Sequence, residues 1–249
     1  MLTMSRNHHL CRIVVSGLLV LFPLVSYAQQ RWQVGPGVAF LFRQFRSNDA
    51  GGVFKPRFNA VTGIGGLHIS RYLNRYDVWA ETGVSYTPLD VIIAETNERG
   101  YSGYGNGSGL WIIPTLVRKD IKLRLPGTYF GPNQTVRFSF NAGIQHQFLA
   151  NKSSSGSFSS SRPGLNYIAY STAQHTYNPA LFVESAIRLL LIRRRLDALI
   201  RINATLGLRE LIRTDIRYTT STNATPQLAT VTYSGSGKGW GISLRYLIY

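Results

Sequence analysis

The sequence predicts an all-β protein, an eight-stranded antiparallel up-and-down transmembrane β-barrel preceded by a cleavable signal peptide. Three observations carry that expectation. Segment after segment alternates apolar residues with small, polar or charged ones, the two-residue period of a strand with two unlike faces. The connections alternate in length, short on one side and long, polar and rich in Gly, Ser, Thr and Asn on the other, as membrane barrels are built. Beyond its first residues the 249-residue chain has no apolar run of helical spanning length, so insertion into a bilayer would require a closed sheet.

The first element is the leader. Arg6 and Arg12 precede an apolar run from Ile13 to Val25, which ends in Ser26, Tyr27 and Ala28. This is the pattern of a secretory signal peptide cut after Ala28, and the run, interrupted by Pro23, is short for a membrane anchor. Cys11, the one cysteine in the chain, precedes the run and is lost with it. The mature chain then has neither disulfides nor a cysteine-ligated metal. It retains a net charge of about +14, which in an exported protein points to anionic lipid or polysaccharide more than to nucleic acid.

The mature strands follow in order. The first, 32–46, puts Trp32, Val34, Pro36, Val38, Phe40 and Phe42 on one face and Gln33, Gly35, Gly37, Ala39 and Arg43 on the other. A glycine-rich second strand, 58–72, turns through Leu73-Asn74-Arg75 into a third, 76–86, with Trp79, Glu81, Gly83 and Ser85 on its inward face. The fourth, "GLWIIPTLVRKDIKL", is extended but its faces are ambiguous, and Pro114 predicts a bulge or break in it. The fifth, "VRFSFNAGIQHQFL", alternates Val136, Phe138, Phe140, Ala142, Ile144, His146 and Phe148 with Arg137, Ser139, Asn141, Gly143, Gln145 and Gln147. The sixth, 178–191, sets Leu181, Val183, Ile187 and Leu189 against Phe182, Glu184 and Arg188. The seventh, after Arg193-Arg194-Arg195, sets Leu196 to Leu208 against Asp197, Arg201, Asn203, Thr205, Gly207 and Arg209. The eighth is the closing "GWGISLRYLIY", with Trp240, Ile242, Leu244, Tyr246 and Ile248 on one face and Ser243 and Arg245 on the other. Long loops are expected at 47–57, 87–109, 151–177 and 210–237, and one domain at 29–249.

The hairpin half "YLNRYDVWAETGVSY", the strands "LWIIPTLVRK" and "RFSFNAGIQHQF" and the exit "GLREL" resemble the small Gram-negative outer-membrane β-barrel family that includes PorT-like proteins. The resemblance spans nearly the whole mature chain and implies location in the outer membrane, with support of secretion as one expected role beside adhesion through the long loops and envelope stability, among which the sequence does not select. Tyr249 departs from the family pattern, since its parity is opposite to that of Trp240 through Ile248.

With the polar faces inward, the lumen gathers Glu81, Glu184 and Asp197 with Arg43, Arg137, Arg188, Arg201, Arg209 and Arg245. An eight-stranded barrel is only wide enough for its own side chains, so these charges are expected to pair and plug it. His146 faces outward, which raises an outer-wall lipid hydrolase with Ser185; regular pairing, however, puts Ser185 nearer Ala142. His68 and His175 have no evident acidic partner. Trp32, Tyr72, Tyr76, Tyr86, Phe148, Tyr177, Trp240 and Tyr246 lie near strand ends as interfacial girdles. The expected role is structural or interaction-based rather than enzymatic, without cofactor or metal. The partners expected are outer-membrane lipids and lipopolysaccharide, with envelope or secretion proteins at the long loops, of which "YSGYGNGSG" reads as flexible; no nucleic acid is expected, and the protein is expected to be a monomer. A soluble periplasmic β-barrel carrier is the remaining alternative.

Overall fold

The computed structural model describes residues 31–56, 61–74, 76–95, 101–123, 136–150, 156–162, 165–191 and 195–248. The expected signal peptide, Arg193, Arg194 and Tyr249 lie outside them. The described residues form twelve strands: β1 (Trp32–Asp49), β2 (Phe54–Pro56), β3 (Val61–Asn74), β4 (Val78–Glu95), β5 (Tyr101–Leu123), β6 (Val136–Leu149), β7 (Gly156–Arg162), β8 (Leu165–Ala173), β9 (Tyr177–Leu191), β10 (Leu196–Gly207), β11 (Ile212–Thr220) and β12 (Asn223–Ile248).

Eight of them close a barrel in the order β1-β3-β4-β5-β6-β9-β10-β12, and β12 pairs back onto β1 from Trp32↔Ile248 to Asp49↔Ala229. All of these pairings are antiparallel. Closure leaves no open edge strand around the barrel, so its backbone groups pair from strand to strand, as a membrane interior requires.

The other four strands correct one expectation. Segments 87–109, 151–177 and 210–237, expected as loops, are largely β-structure that carries the barrel walls onward. β11 resumes on β12 where β10 ends, β8 pairs with β11 just before β9 begins, and β7 pairs with β8. β2 pairs with the far end of β4, and the "YSGYGNGSG" segment pairs with β4 as the first part of β5. Pro114 does not break β5, whose pairing with β6 runs without a shift from Leu110↔Leu149 to Leu123↔Val136. Trp111 faces outward.

The faces sort by polarity. At mid-barrel the outer wall is apolar: Phe140, Ile200 and Ile242 are 47%, 53% and 46% exposed, whereas Arg201 and Arg245 are 5% and 0% exposed. A continuous exposed band of this kind is stable in hydrocarbon and would aggregate in water, so this part of the chain spans a membrane. Further along the same strands the pattern inverts while the parity stays the same. β1 turns Phe40 and Phe42 outward but Phe45 inward, with Arg46 exposed. On β12, Ala229, Val231 and Tyr233 face in while Thr230 and Thr232 face out. The inward residues join Phe54, Leu89, Leu110, Ile112, Tyr167, Ile216 and Tyr218 in one buried apolar cluster. The inversion marks where the outer surroundings change from lipid to water, and the strands beyond it form an extension with an ordinary water-soluble pattern.

At the transition β12 is bulged: Gly237 lies opposite Arg43, but Tyr233 lies opposite Phe45. Gly235 adopts φ +76° there, and a Cβ on it would lie 1.9 Å from Gln147 Oε1. Glycine is the residue that makes this turn without strain. At the outer end Asp49 accepts hydrogen bonds from the Gly51 and Phe54 amides and from the Tyr218 hydroxyl (2.6 Å), tying the turn after β1 to β11. Burial, together with that bond, pushes the Tyr218 phenol up to about 12.

Candidate functional site

Each barrel strand contributes a side chain to one hydrogen-bonded layer across the lumen. Arg245 of β12 grips Glu81 of β4 with both terminal nitrogens (2.7 and 2.6 Å) and donates to Ser70 of β3 (2.9 Å). Arg118 of β5 reaches Glu81 at 3.3 Å and donates to Gln33 of β1 (2.6 Å). Gln33 donates to Asp197 of β10 (2.7 Å), and Asp197 accepts from Arg188 of β9. Arg188 also pairs with Asp120 of β5, which accepts from Ser139 of β6 (2.7 Å). Trp79 covers the layer, its ring centre 4.7 Å from the Arg118 guanidinium carbon.

The layer therefore sets three arginines against three carboxylates, all buried. Ions removed from water at this depth persist only when partners replace their hydration, and a bidentate arginine–carboxylate pair does so with directional bonds. A second, smaller tier lies above. Arg201 is 3.6 Å from Glu184, which accepts from Asn141 (2.9 Å). Gly37 gives the Arg201 guanidinium its space, because a Cβ there would lie 2.7 Å from Nη2. His68 faces the same interior, 3.6 Å from Glu81. Between this tier and the apolar cluster is a cavity of about 60 Å³, lined by His68, Glu184, Arg201 and Gln145 on one side and Leu41 and Leu110 on the other. Above it, Arg43 is buried beside the Tyr233 ring and donates to Thr87 and to the Pro88 carbonyl.

Of the charges expected in the lumen, Glu81, Glu184, Asp197, Arg43, Arg188, Arg201 and Arg245 all lie inside. Two do not join them. Arg209 falls in the exposed connection between β10 and β11, because β10 ends at Gly207 and the chain leaves the barrel wall there. Arg137 sits at the rim with the short turns, 3.6 Å from Asp77, rather than within the layer. Arg118 and Asp120, central to the layer, belong to the strand whose faces the sequence left ambiguous. Their signal was the i, i+2 pair of opposite charges sharing parity with Leu110, Ile112 and Leu116, which are also inward.

The pair that the alternative reading, an outer-wall hydrolase, would need is not assembled. Ser185 pairs with Phe140 rather than Ala142, and His146 with Pro179. Six residues of extended strand, roughly 20 Å, separate the two rows. His146 Nδ1 instead lies 2.9 Å from the Tyr177 hydroxyl, and His175 Nδ1 is 2.9 Å from the Glu210 carbonyl oxygen. Among the described residues no cluster of His, Cys, Asp and Glu is arranged to hold a metal ion. Most of the expected girdle residues face outward; Tyr72 instead turns inward, edge-on to Trp79 with ring centres 5.0 Å apart.

No family model matches the chain, and no curated protein matches it in sequence. Solved structures similar to it include the outer-membrane protein OprG from Pseudomonas aeruginosa, at 10% identity and TM-score 0.47, covering 90% of this chain and 98% of that one. A major outer-membrane protein from Thermus thermophilus has 9% identity and TM-score 0.41, covering 89% of this chain and 100% of that one. The transport unit of the autotransporter AIDA-I from Escherichia coli has 10% identity and TM-score 0.32, covering 97% of each chain. On its own closure, polarity and lumen, the chain is an eight-stranded antiparallel membrane β-barrel with a strand-built extension at one end.

Proposed function

We propose that the protein is a non-conducting barrel of the outer membrane whose working part is the extension, held outward as a rigid interaction scaffold. The observation that carries this reading is the double closure of the lumen, first by the eight-strand charged layer and then by the apolar cluster. Such filling supports a blocked lumen, because an eight-stranded barrel is only wide enough for its own side chains. The extension at one end supports an orientation with that end outward, and with Trp32 of β1 and Ile248 of β12 at the inner side. The extension also exposes apolar residues beyond the lipid band: Ile168 and Leu228 flank Arg217 across neighbouring strands, with Tyr170 beside them. Exposed apolar residues grouped on a water-facing sheet suit contact with another macromolecule. Support of secretion, which the PorT-like resemblance implies, is one role such a scaffold serves. Recordings from the full chain in planar bilayers test the reading: no stable open level is expected, and a large steady conductance overturns it.

A further inference from the structure

We propose that the outward face where β1, β12 and β11 meet binds the phosphorylated headgroup of an outer-leaflet lipid. The inference rests on the membrane orientation just given and adds the residues and the ligand chemistry.

The apolar band ends on β1 at Phe40 and Phe42 and on β12 at Trp240, whose ring packs on Phe40 with centres 4.9 Å apart. The next outward residue on β12 is Lys238, paired with Phe42. On β1 the next outward positions are Gln44 and Arg46. Arg46 pairs with Thr232, and Thr232 pairs on its other side with Arg213 of β11. Two cations thus flank Thr232 in one row, two strand spacings or about 10 Å apart, with the third a few residues nearer the lipid. All three are exposed. Arg213 is shared with Asp215 (3.0 Å), whereas Arg46 and Lys238 have no carboxylate partner among the described residues.

Four other barrel strands end their apolar band without such a cluster. Where the band ends on β4, β5, β6 and β9, the outward residues are Tyr86 and Pro88, Trp111, Phe148 and Tyr177, rings and apolar groups without charge. Acyl chains packed on Phe40, Phe42 and Trp240 would bring a headgroup phosphate to the height of Lys238 and Arg46. Guanidinium and ammonium groups bind phosphate by charge-assisted hydrogen bonds, strengthened by the anionic surface around them.

The test is native mass spectrometry of the full chain in neutral detergent, titrated with bisphosphorylated lipid A. Each cation near an anionic lipid surface contributes enough that losing two weakens binding about thirtyfold. That loss is expected for Arg46→Gln with Lys238→Gln, while Lys122→Gln with Arg195→Gln at the opposite rim leaves binding unchanged. Excess inorganic pyrophosphate, lacking acyl chains, is expected not to compete. Equal weakening by both double variants, no weakening by the first, or displacement by pyrophosphate each overturns the proposal. Heat-modifiable gel mobility of every variant is read alongside. Its loss in the wild type would count against the barrel itself, a failure separate from that of the lipid site.

Discussion

Arg245→Met removes the centre of the charged layer while keeping most of the side chain's length. The wild-type guanidinium supplies Glu81 with two hydrogen bonds, 2.7 and 2.6 Å, and Ser70 with one of 2.9 Å. After the substitution Glu81 keeps one arginine, Arg118 at 3.3 Å, on a carboxylate that is only 3% exposed. Removing one partner of a buried pair costs about 3–5 kcal/mol, because the remaining charge stays desolvated. Replacing both partners with apolar groups removes that burden, so Glu81→Met with Arg245→Met is expected to lie within about 2 kcal/mol of the wild type. The assay is urea unfolding of the full chain in phospholipid vesicles, followed by tryptophan emission and by gel mobility without heating. A loss under about 1 kcal/mol in the single variant would refute the reasoning, as would a double variant less stable than either single one.

Ile200→Arg places a charge at mid-band on the lipid face and is expected to destabilise the barrel by about 2–4 kcal/mol in the same unfolding measurement. Tyr218→Phe deletes the hydroxyl bond to Asp49, a hydrogen bond to a charged group worth about 1.5–3 kcal/mol. Limited proteolysis should then cut the extension faster while the barrel keeps its heat-modifiable mobility. His146→Ala removes the contact with Tyr177 and is expected to leave phospholipid release from vesicles at the wild-type background. A drop in release would restore the hydrolase reading.

The barrel was legible because at membrane depth one rule, apolar outside, acts on every strand. β6 and the later part of β12 obey it almost residue for residue, so the faces of Phe140, Ile242 and Arg245 followed from parity alone. β5 defeated it because Leu110, Ile112 and Leu116 point inward alongside Arg118 and Asp120, the first two of them joining the apolar cluster. The extension was misread for a related reason. Its strands face water, so Ala229, Val231 and Tyr233 are inside and Thr230 and Thr232 outside, and a search for lipid-facing alternation finds only polar, loop-like composition. Arg209 shared the parity of Arg201 but lay beyond the end of the strand, a boundary that alternation does not mark. The lumen contacts themselves, such as Gln33 bridging Arg118 and Asp197, depend on register across strands far apart in the chain and have no local signature.

β12 joins β1, β10 and β11 at once, and β1 is the strand most distant from it along the chain. Bringing such remote segments together carries a large loss of chain freedom before any contact compensates for it. Until β12 docks, β1 and β10 each present an open row of amides and carbonyls, Arg245 has not reached Glu81, and β11 has no neighbour on that side. Assembly should therefore be close to all-or-none: a chain interrupted anywhere along its last strand would lose the seam, the internal ion lock and the outer platform in a single failure.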